Sequence, residues 1–172
     1  MDDVYAQTAE HFGFECRGCR DNCCETEFHH HTLAEYLYLR NGLSQLPEAV
    51  QDEIRRRAHR VRQQMSSARD QGLKPRIMCP LNHGQRCLLY PHRPMICRLH
   101  GVPHQLKRPD GKIQIGPGCA EFHHGSGMPR EVLLDRTPLY QALSQLEQQL
   151  RQAAGFHRKI KLTVAEILTV EL

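Results

Sequence analysis

The sequence lacks the features that would place it in or across a membrane. None of its apolar runs approaches the roughly 20 residues that a helix needs to span a bilayer. Its first residues, Met1-Asp2-Asp3, are acidic where a secretory signal requires basic residues, and no apolar segment follows. From these absences we predict a cytoplasmic protein without membrane contacts.

Signatures of several common functional classes are also missing. There is no tryptophan, phosphate-binding loop, dinucleotide fingerprint, Gly-x-Ser-x-Gly elbow or His-Glu-x-x-His motif. The formal charge of +4 is too small to indicate nucleic acid by itself. The clustered arginines, Arg55 to Arg69, are interleaved with Asp52 and Glu53 and have no aromatic neighbours for base stacking. We therefore predict a solvated helix face there and no nucleic-acid partner.

The sequence is instead rich in cysteine, with eight residues in 172. Crowded thiols in a reducing compartment more often bind metal than form disulfides, although four structural disulfides are the alternative. The Cys-x-x-Cys spacing at the start of the first group lets two thiolates face one ion from a single turn. We predict that all eight are metal ligands: Cys16, Cys19, Cys23, Cys24, Cys79, Cys87, Cys97 and Cys119.

Two kinds of centre fit this pattern, an iron–sulfur cluster and zinc, because thiolates suit both. Adjacent side chains diverge, so the pair Cys23 and Cys24 suits a cluster or two neighbouring sites better than one ion. The later cysteines are too widely spaced for a second knuckle, which argues against an ordinary zinc ribbon. A Cys-Pro step such as Cys79-Pro80 also occurs beside iron–sulfur ligands. We favour the cluster slightly and keep zinc open.

Arginine and histidine side chains near the cysteines are further candidates. Arg93 and Arg98 would donate hydrogen bonds to thiolate sulfur or offset the charge of a cluster, and the alternative is that they pack the loop or pair with acids. Imidazole also binds zinc and iron. Because eight thiols suffice, we predict that His29, His30 and His31 form a surface loop without a ligand. Nearer the thiols, His83 is a candidate ligand by proximity, and His100 and His104 are candidate donors to the ligands.

Helical periodicity flanks the cysteine-rich segment. A capping box at Thr32 opens a helix that we expect to stop at Asn41-Gly42. In the next helix, apolar residues from Val50 to Met65 recur every three or four positions. Pro109-Asp110-Gly111 predicts the turn of a hairpin. The predicted helices cover residues 4–11, 32–40, 47–71 and 137–154, with a short one after Thr163, a hairpin over 105–115 and a buried strand over 88–90.

These elements predict a mainly α fold with an irregular cysteine-rich centre and a small β-hairpin. We expect residues 1–172 to form one compact domain organised around the metal centre. Within it, residues 12–121 would form the chelating core and residues 128–172 a helical C-terminal region.

The cysteine motifs resemble those of the YkgJ-like cysteine-cluster proteins, a zinc- or iron-chelating family named for its CxxCxxCC signature. The resemblance covers roughly residues 12–121. One departure is the three residues Arg20-Asp21-Asn22, where the family's name implies two. The matching positions are Phe14, Cys16, Cys19, Cys23 and Cys24, then Cys79-Pro80-Leu81, then Cys87, Tyr90, Arg93-Pro94 and Cys97-Arg98.

The resemblance implies metal chelation without settling the metal. We predict a metal-binding protein with a structural, metal-handling or redox-sensing role, whose partner is the metal or cluster; a protein partner stays unspecified. Flagellin lysine N-methylases carry a related cysteine block in longer chains. The alternative is therefore a metal-dependent enzyme with redox or group-transfer chemistry, for example on a protein lysine.

Overall fold

The structure, a computed structural model, describes residues 1–15, 23–119, 122 and 132–172. Of the described residues 51% are helical, and a small antiparallel hairpin is present, as the sequence predicts; the structure adds a second small sheet. The helices are α1 (Asp2–His11), α2 (Leu33–Ser44), α3 (Glu48–Asp70), α4 (Met95–Leu99), α5 (Thr137–Ala154) and α6 (Val164–Ile167). The strands are β1 (Asn82–His83), β2 (Arg86–Cys87), β3 (His104–Lys107), β4 (Ile113–Gly116) and β5 (Leu134–Asp135).

Helix α2 begins as predicted but ends later. The Thr32 hydroxyl accepts a hydrogen bond from the Glu35 backbone N–H at 3.1 Å, which satisfies one free donor of the first turn. The predicted stop at Asn41-Gly42 is wrong, because the helix continues to Ser44. Gly42 faces His92, and a Cβ atom at this position would lie 2.4 Å from the imidazole Cγ. The glycine therefore permits close packing and does not end the helix.

Helix α3 confirms its predicted apolar stripe. Ile54, Ala58, Val61 and Met65 are buried, and they recur on one face of the helix. Several basic residues of the other faces pair with acids of the same helix, for example Arg55 with Asp52 at 3.0 Å, whereas Arg69 pairs with Glu27 in the preceding segment. This face is the solvated, charge-paired surface that the sequence predicts.

The C-terminal helices differ in how they pack. Helix α6 is the short helix predicted after Thr163, and Thr163 and Glu166 form a capping box in which each side chain accepts from the other's backbone N–H. Helix α5 ends at Ala154 as predicted, and Gly155 follows it in a left-handed conformation with φ of 60°. No residue of α5, all of which the structure describes, is buried. Its leucine stripe is therefore half-buried or exposed, with Leu146 53% exposed.

Two small sheets shape the cysteine-rich segment. Strands β1 and β2 pair around Gly84 and Gln85, whose φ angles of 56° and 64° are those of a tight two-residue hairpin turn. The predicted hairpin is present as β3 and β4, and β5 joins β3 in parallel. The predicted strand over 88–90 is wrong. Leu89 is buried, but Tyr90 starts a short 3-10 helix and is 59% exposed, which also contradicts a core position for it.

The core consists of two apolar clusters. One joins α2, α3 and α6 around Leu39, Ile54 and Ile167, which are completely buried. The other joins α1 and α4 to the small sheet through Leu99, Val102 and Leu134. Among the helices that the structure describes, none has both the length and the apolar character needed to cross a membrane.

Candidate metal centre

Five cysteine side chains line one cavity of about 530 Å³. They come from separate parts of the chain: Cys24, Cys79, Cys87, Cys97 and Cys119. Of the other predicted ligands, Cys16 and Cys19 lie outside the described residues, and so does the side chain of Cys23. The fold thus brings together every predicted cysteine ligand whose side chain the structure describes.

Backbone hydrogen bonds join the segments that carry these thiols. The backbone N–H of Cys79 donates to the carbonyl of Cys24 at 2.7 Å, so the first cysteine group meets the second although more than 50 residues, including α2 and α3, separate them in the chain. Cys87 ends β2, opposite Asn82 in β1. Cys97 lies in the middle of α4.

Cys119 reaches the cavity from the far side of the β3–β4 hairpin. Its backbone N–H donates to the carbonyl of Gly101 at 2.9 Å, and its side chain is buried. This contact depends on Gly118, where φ is 90° and a Cβ atom would lie 2.4 Å from the same carbonyl oxygen. The sequence Gly116-Pro117-Gly118-Cys119, remote from the other cysteines in the chain, is therefore placed beside them.

The electrostatics of the thiols reflect their burial and their mutual proximity. Burial raises the pKa of Cys97 to about 12, with smaller contributions in the same direction from the neighbouring Cys87 and Cys24. Burial also raises the pKa of Cys79 and of Cys87, again with a contribution from Cys24. At neutral pH these thiols are protonated in the absence of a metal. A metal ion that took these thiols as thiolate ligands would have to displace their protons.

The two candidate arginines occupy different positions. Arg93 lines the cavity, and its charge lowers the pKa of both Cys87 and Cys97, against the larger effect of burial. Its guanidinium lies 3.6 Å from the centroid of the Tyr90 ring, which holds the charge in place. Arg98 instead donates to both carboxylate oxygens of Asp2 at 2.7 Å and to the carbonyl of Arg93. Arg98 therefore joins α1 to the loop before α4.

The candidate histidines also differ in their positions relative to the cavity. His100 lines the cavity and contacts Phe28, with 5.7 Å between ring centroids. His83 is exposed on β1. His104 is half-buried, and burial followed by the charge of Arg136 lowers its pKa to about 4, so it is neutral at pH 7. The predicted surface loop over residues 29–31 is wrong at His30, which is only 2% exposed.

The rest of the cavity wall is largely apolar. Helix α3 contributes two residues of the stripe that the sequence assigned to the core, and α6 contributes its first turn. These side chains, together with two from the loops, are Phe28, Val61, Met65, Ile77, Val164 and Ala165. Sequence reasoning missed them as site residues, because the same periodicity describes a core-facing stripe and a cavity wall.

Among the described residues, no three cysteine, histidine, aspartate or glutamate side chains are arranged as a metal-binding group. No family model matches the chain, and neither a search of curated proteins nor a search of solved structures finds a relative. The resemblance to the YkgJ-like proteins therefore stays a prediction from the cysteine motifs.

Proposed function

We propose that this protein binds a metal centre through the cysteine thiolates of the cavity, as the resemblance to the YkgJ-like chelating family implies. The observation that carries the proposal is the convergence of the five described thiols on one cavity, from segments that are distant in the chain. Packing of an apolar core does not require five cysteine side chains around one cavity. The ligands would be these five, together with Cys16, Cys19 and Cys23.

The donor set fits both centres that the sequence left open, since zinc and iron–sulfur clusters both take thiolate ligands. Of the two we favour an iron–sulfur cluster. A four-thiolate zinc site closes tightly around one ion, whereas this cavity measures about 530 Å³, within the roughly 300–1,000 Å³ typical of sites for larger ligands. Arg93 adds a positive charge that would offset the negative charge of a thiolate-bound cluster.

For the role of the centre, we propose a structural, metal-handling or redox-sensing function. A metal-dependent enzyme is the second candidate, and the apolar wall formed by α3 and α6 is the observation that favours it. An enzyme needs room for a substrate beside its metal, and Val61, Met65 and Ala165 line such a space. A redox or group-transfer activity, including one on a protein lysine, would use this wall to bind the apolar stem of its substrate.

Parallel reconstitution tests the proposal. The reduced, metal-free protein is incubated anaerobically with Zn²⁺ or with Fe²⁺ and sulfide, and bound metal and acid-labile sulfide are measured after gel filtration. The wild-type protein should retain stoichiometric metal, with a visible absorption band if the cluster forms. Cys97→Ser and Cys79→Ser should each lose most of this metal. Full metal retention by both variants would overturn the ligand assignment.

A further inference from the structure

The cavity that the thiols line opens to solvent mainly at one short segment. Of the described residues that line it, those that are also exposed are Thr26, Gln85, Arg86 and Tyr90. A side chain that belongs both to the cavity wall and to the protein surface marks a place where the cavity meets the solvent. We call residues 85–90, which contribute most of these side chains, the cavity mouth.

The charged side chains of the cavity wall are not balanced. Glu27 is the one carboxylate among the described lining residues, and it already pairs with Arg69 and, at 3.4 Å, with His29. Arg86 and Arg93 also line the cavity, and neither forms an ion pair with a described residue, whereas most of the other described arginines do. The wall therefore carries two positive charges without a carboxylate partner in the described part of the chain.

Both of these charges lie near the thiols. The Nε atom of Arg93 donates to the carbonyl of Tyr90 at 3.1 Å, and its guanidinium is held over the ring of the same tyrosine. Burial raises the pKa of Cys87 and of Cys97, and the charge of Arg93 acts on both thiols in the opposite direction. Arg86 directly precedes Cys87 in β2. The two charges therefore lie close to Cys87, which itself belongs to the cavity mouth.

Unpaired positive charges at the mouth of an apolar cavity favour anions over cations. Behind the mouth, the wall contains Phe28, Val61 and Met65, whose low polarity leaves the field of the arginines less screened than it would be in water. Charge of one sign in such a cleft speeds the encounter with ligands of the opposite sign by about 10- to 1,000-fold. The hydrated cations Zn²⁺ and Fe²⁺ would be repelled at this mouth, and a metal complex with net negative charge would be attracted.

We propose that the thiol site takes its metal from a small anionic chelate, in which carboxylate groups hold the metal ion, and that Arg86 and Arg93 attract this chelate to the cavity mouth. The proposal rests on the proposed function and adds the chemical class of the metal donor. The charges line a cavity instead of a flat surface, which suits a small molecule better than a protein donor. Each thiol that becomes a ligand releases its proton to the solvent as a metal–sulfur bond replaces a metal–oxygen bond of the chelate, and no electron is transferred.

Stopped-flow measurement of metal uptake tests the proposal. The reduced, metal-free protein is mixed with Co²⁺, supplied either as its negatively charged nitrilotriacetate complex or as the hydrated cation, and the thiolate charge-transfer band reports uptake. The protein concentration is kept in the range where the rate rises in proportion to it, so that encounter with the protein limits uptake.

The two donors should respond to the loss of an arginine in different ways. Arg86→Gln should take up Co²⁺ from the chelate about threefold more slowly than the wild type, and the double variant with Arg93→Gln roughly tenfold more slowly. Neither variant should take up the hydrated ion more slowly, because the loss of a positive charge does not repel a cation. Two controls should match the wild type with both donors. Arg86→Lys keeps the charge, and Arg108→Gln removes a charge from the exposed turn between β3 and β4, outside the cavity.

Equal rates of uptake from the chelate by the wild type and Arg86→Gln would overturn the proposal and leave the thiolate proposal in place. An equal slowing with both donors would also overturn it, because attraction of the chelate by charge requires that only the chelate be slowed. If the wild-type protein shows no thiolate band with either donor, the thiolate proposal itself fails. Added salt tests the wild type without any substitution: it should slow uptake from the chelate and not uptake of the hydrated ion, and an equal effect on both would contradict the proposal.

Discussion

The helices and the cysteine-rich segment are stabilised in different ways. Helices α3 and α5 are 23 and 18 residues long, and α3 buries a continuous apolar stripe. Between Cys79 and Cys119 the elements are only two to five residues long. Such short elements do not persist alone and need tertiary contacts. We therefore expect α3 to fold on apolar burial, whereas the folding of the segment around the thiols should depend on a metal bound to them.

Metal removal should produce the largest difference between the two regions. After chelation under reducing conditions, amide hydrogen exchange over residues 79–119 should speed up by roughly tenfold or more, because structural metal binding contributes directly to folding. Exchange in α3 should change little, since its contacts are apolar. Exchange detected by mass spectrometry measures both regions in one sample. An equal increase in the exchange rates of α3 and of residues 79–119 would show that both regions depend on the metal to the same extent.

A core substitution in α3 should act whether or not the metal is present. Ile54 is completely buried, so Ile54→Ala should lower the free energy of unfolding by about 2–5 kcal/mol in both forms. Cys97→Ser, by contrast, should destabilise the protein prepared with metal more than the metal-free protein. Urea unfolding of both variants with and without metal measures this. If the loss of stability in Ile54→Ala depends on metal as strongly as the loss in Cys97→Ser, then α3 and the cysteine-rich segment are not stabilised independently.

Alkaline pH should weaken the metal-free protein through its thiols. The pKa of Cys97 in the folded protein, about 12, is above the ordinary value of 9.0. The folded state favours the protonated thiol. The stability that this preference contributes is complete below pH 9 and is lost as the pH rises toward 12. The free energy of unfolding should fall by about 1.4 kcal/mol per pH unit in this range. Urea unfolding of reduced wild type against Cys97→Ala should show a shallower fall in the variant, and identical slopes would contradict the prediction.

Loss of a helix cap should have the smallest effect. Thr163→Ala removes the hydroxyl that accepts from the Glu166 N–H at 3.3 Å, and it should cost about 0.5–2 kcal/mol. Thr163→Ser keeps the hydroxyl and should remain close to wild type. Thermal unfolding of the two variants compares them directly. A loss of stability in Thr163→Ser as large as in Thr163→Ala would show that packing, and not capping, dominates at this position.

The helices could be predicted because their signals are local. Thr32 and Thr163 cap the first turns that they precede, and the stripe of α3 repeats within one element. The prediction failed where a distant contact decides the outcome. Gly42 does not end α2, because His92 packs against it from 50 positions further along the chain.

The cysteines of the site could be predicted from the sequence, but their arrangement around one cavity could not. Cysteine content identified the thiols, yet their common cavity depends on contacts such as the one between Cys79 and Cys24. The burial of His30 had no signal in a run of three histidines, since only the pairing with Leu162 distinguishes it from its neighbours. The predicted burial of Tyr90 was also wrong, because the sequence does not show that Arg93 covers the Tyr90 ring at the surface.

The central claim is that the thiols lining the cavity hold a metal centre. Elemental analysis of protein purified anaerobically, with acid-labile sulfide and the visible absorption spectrum from the same sample, tests it most directly. We expect stoichiometric iron with sulfide and a broad visible absorption, or, for the zinc alternative, stoichiometric zinc in a colourless protein. A protein that is folded and reduced, yet carries no metal and takes up neither zinc nor iron with sulfide, would contradict it.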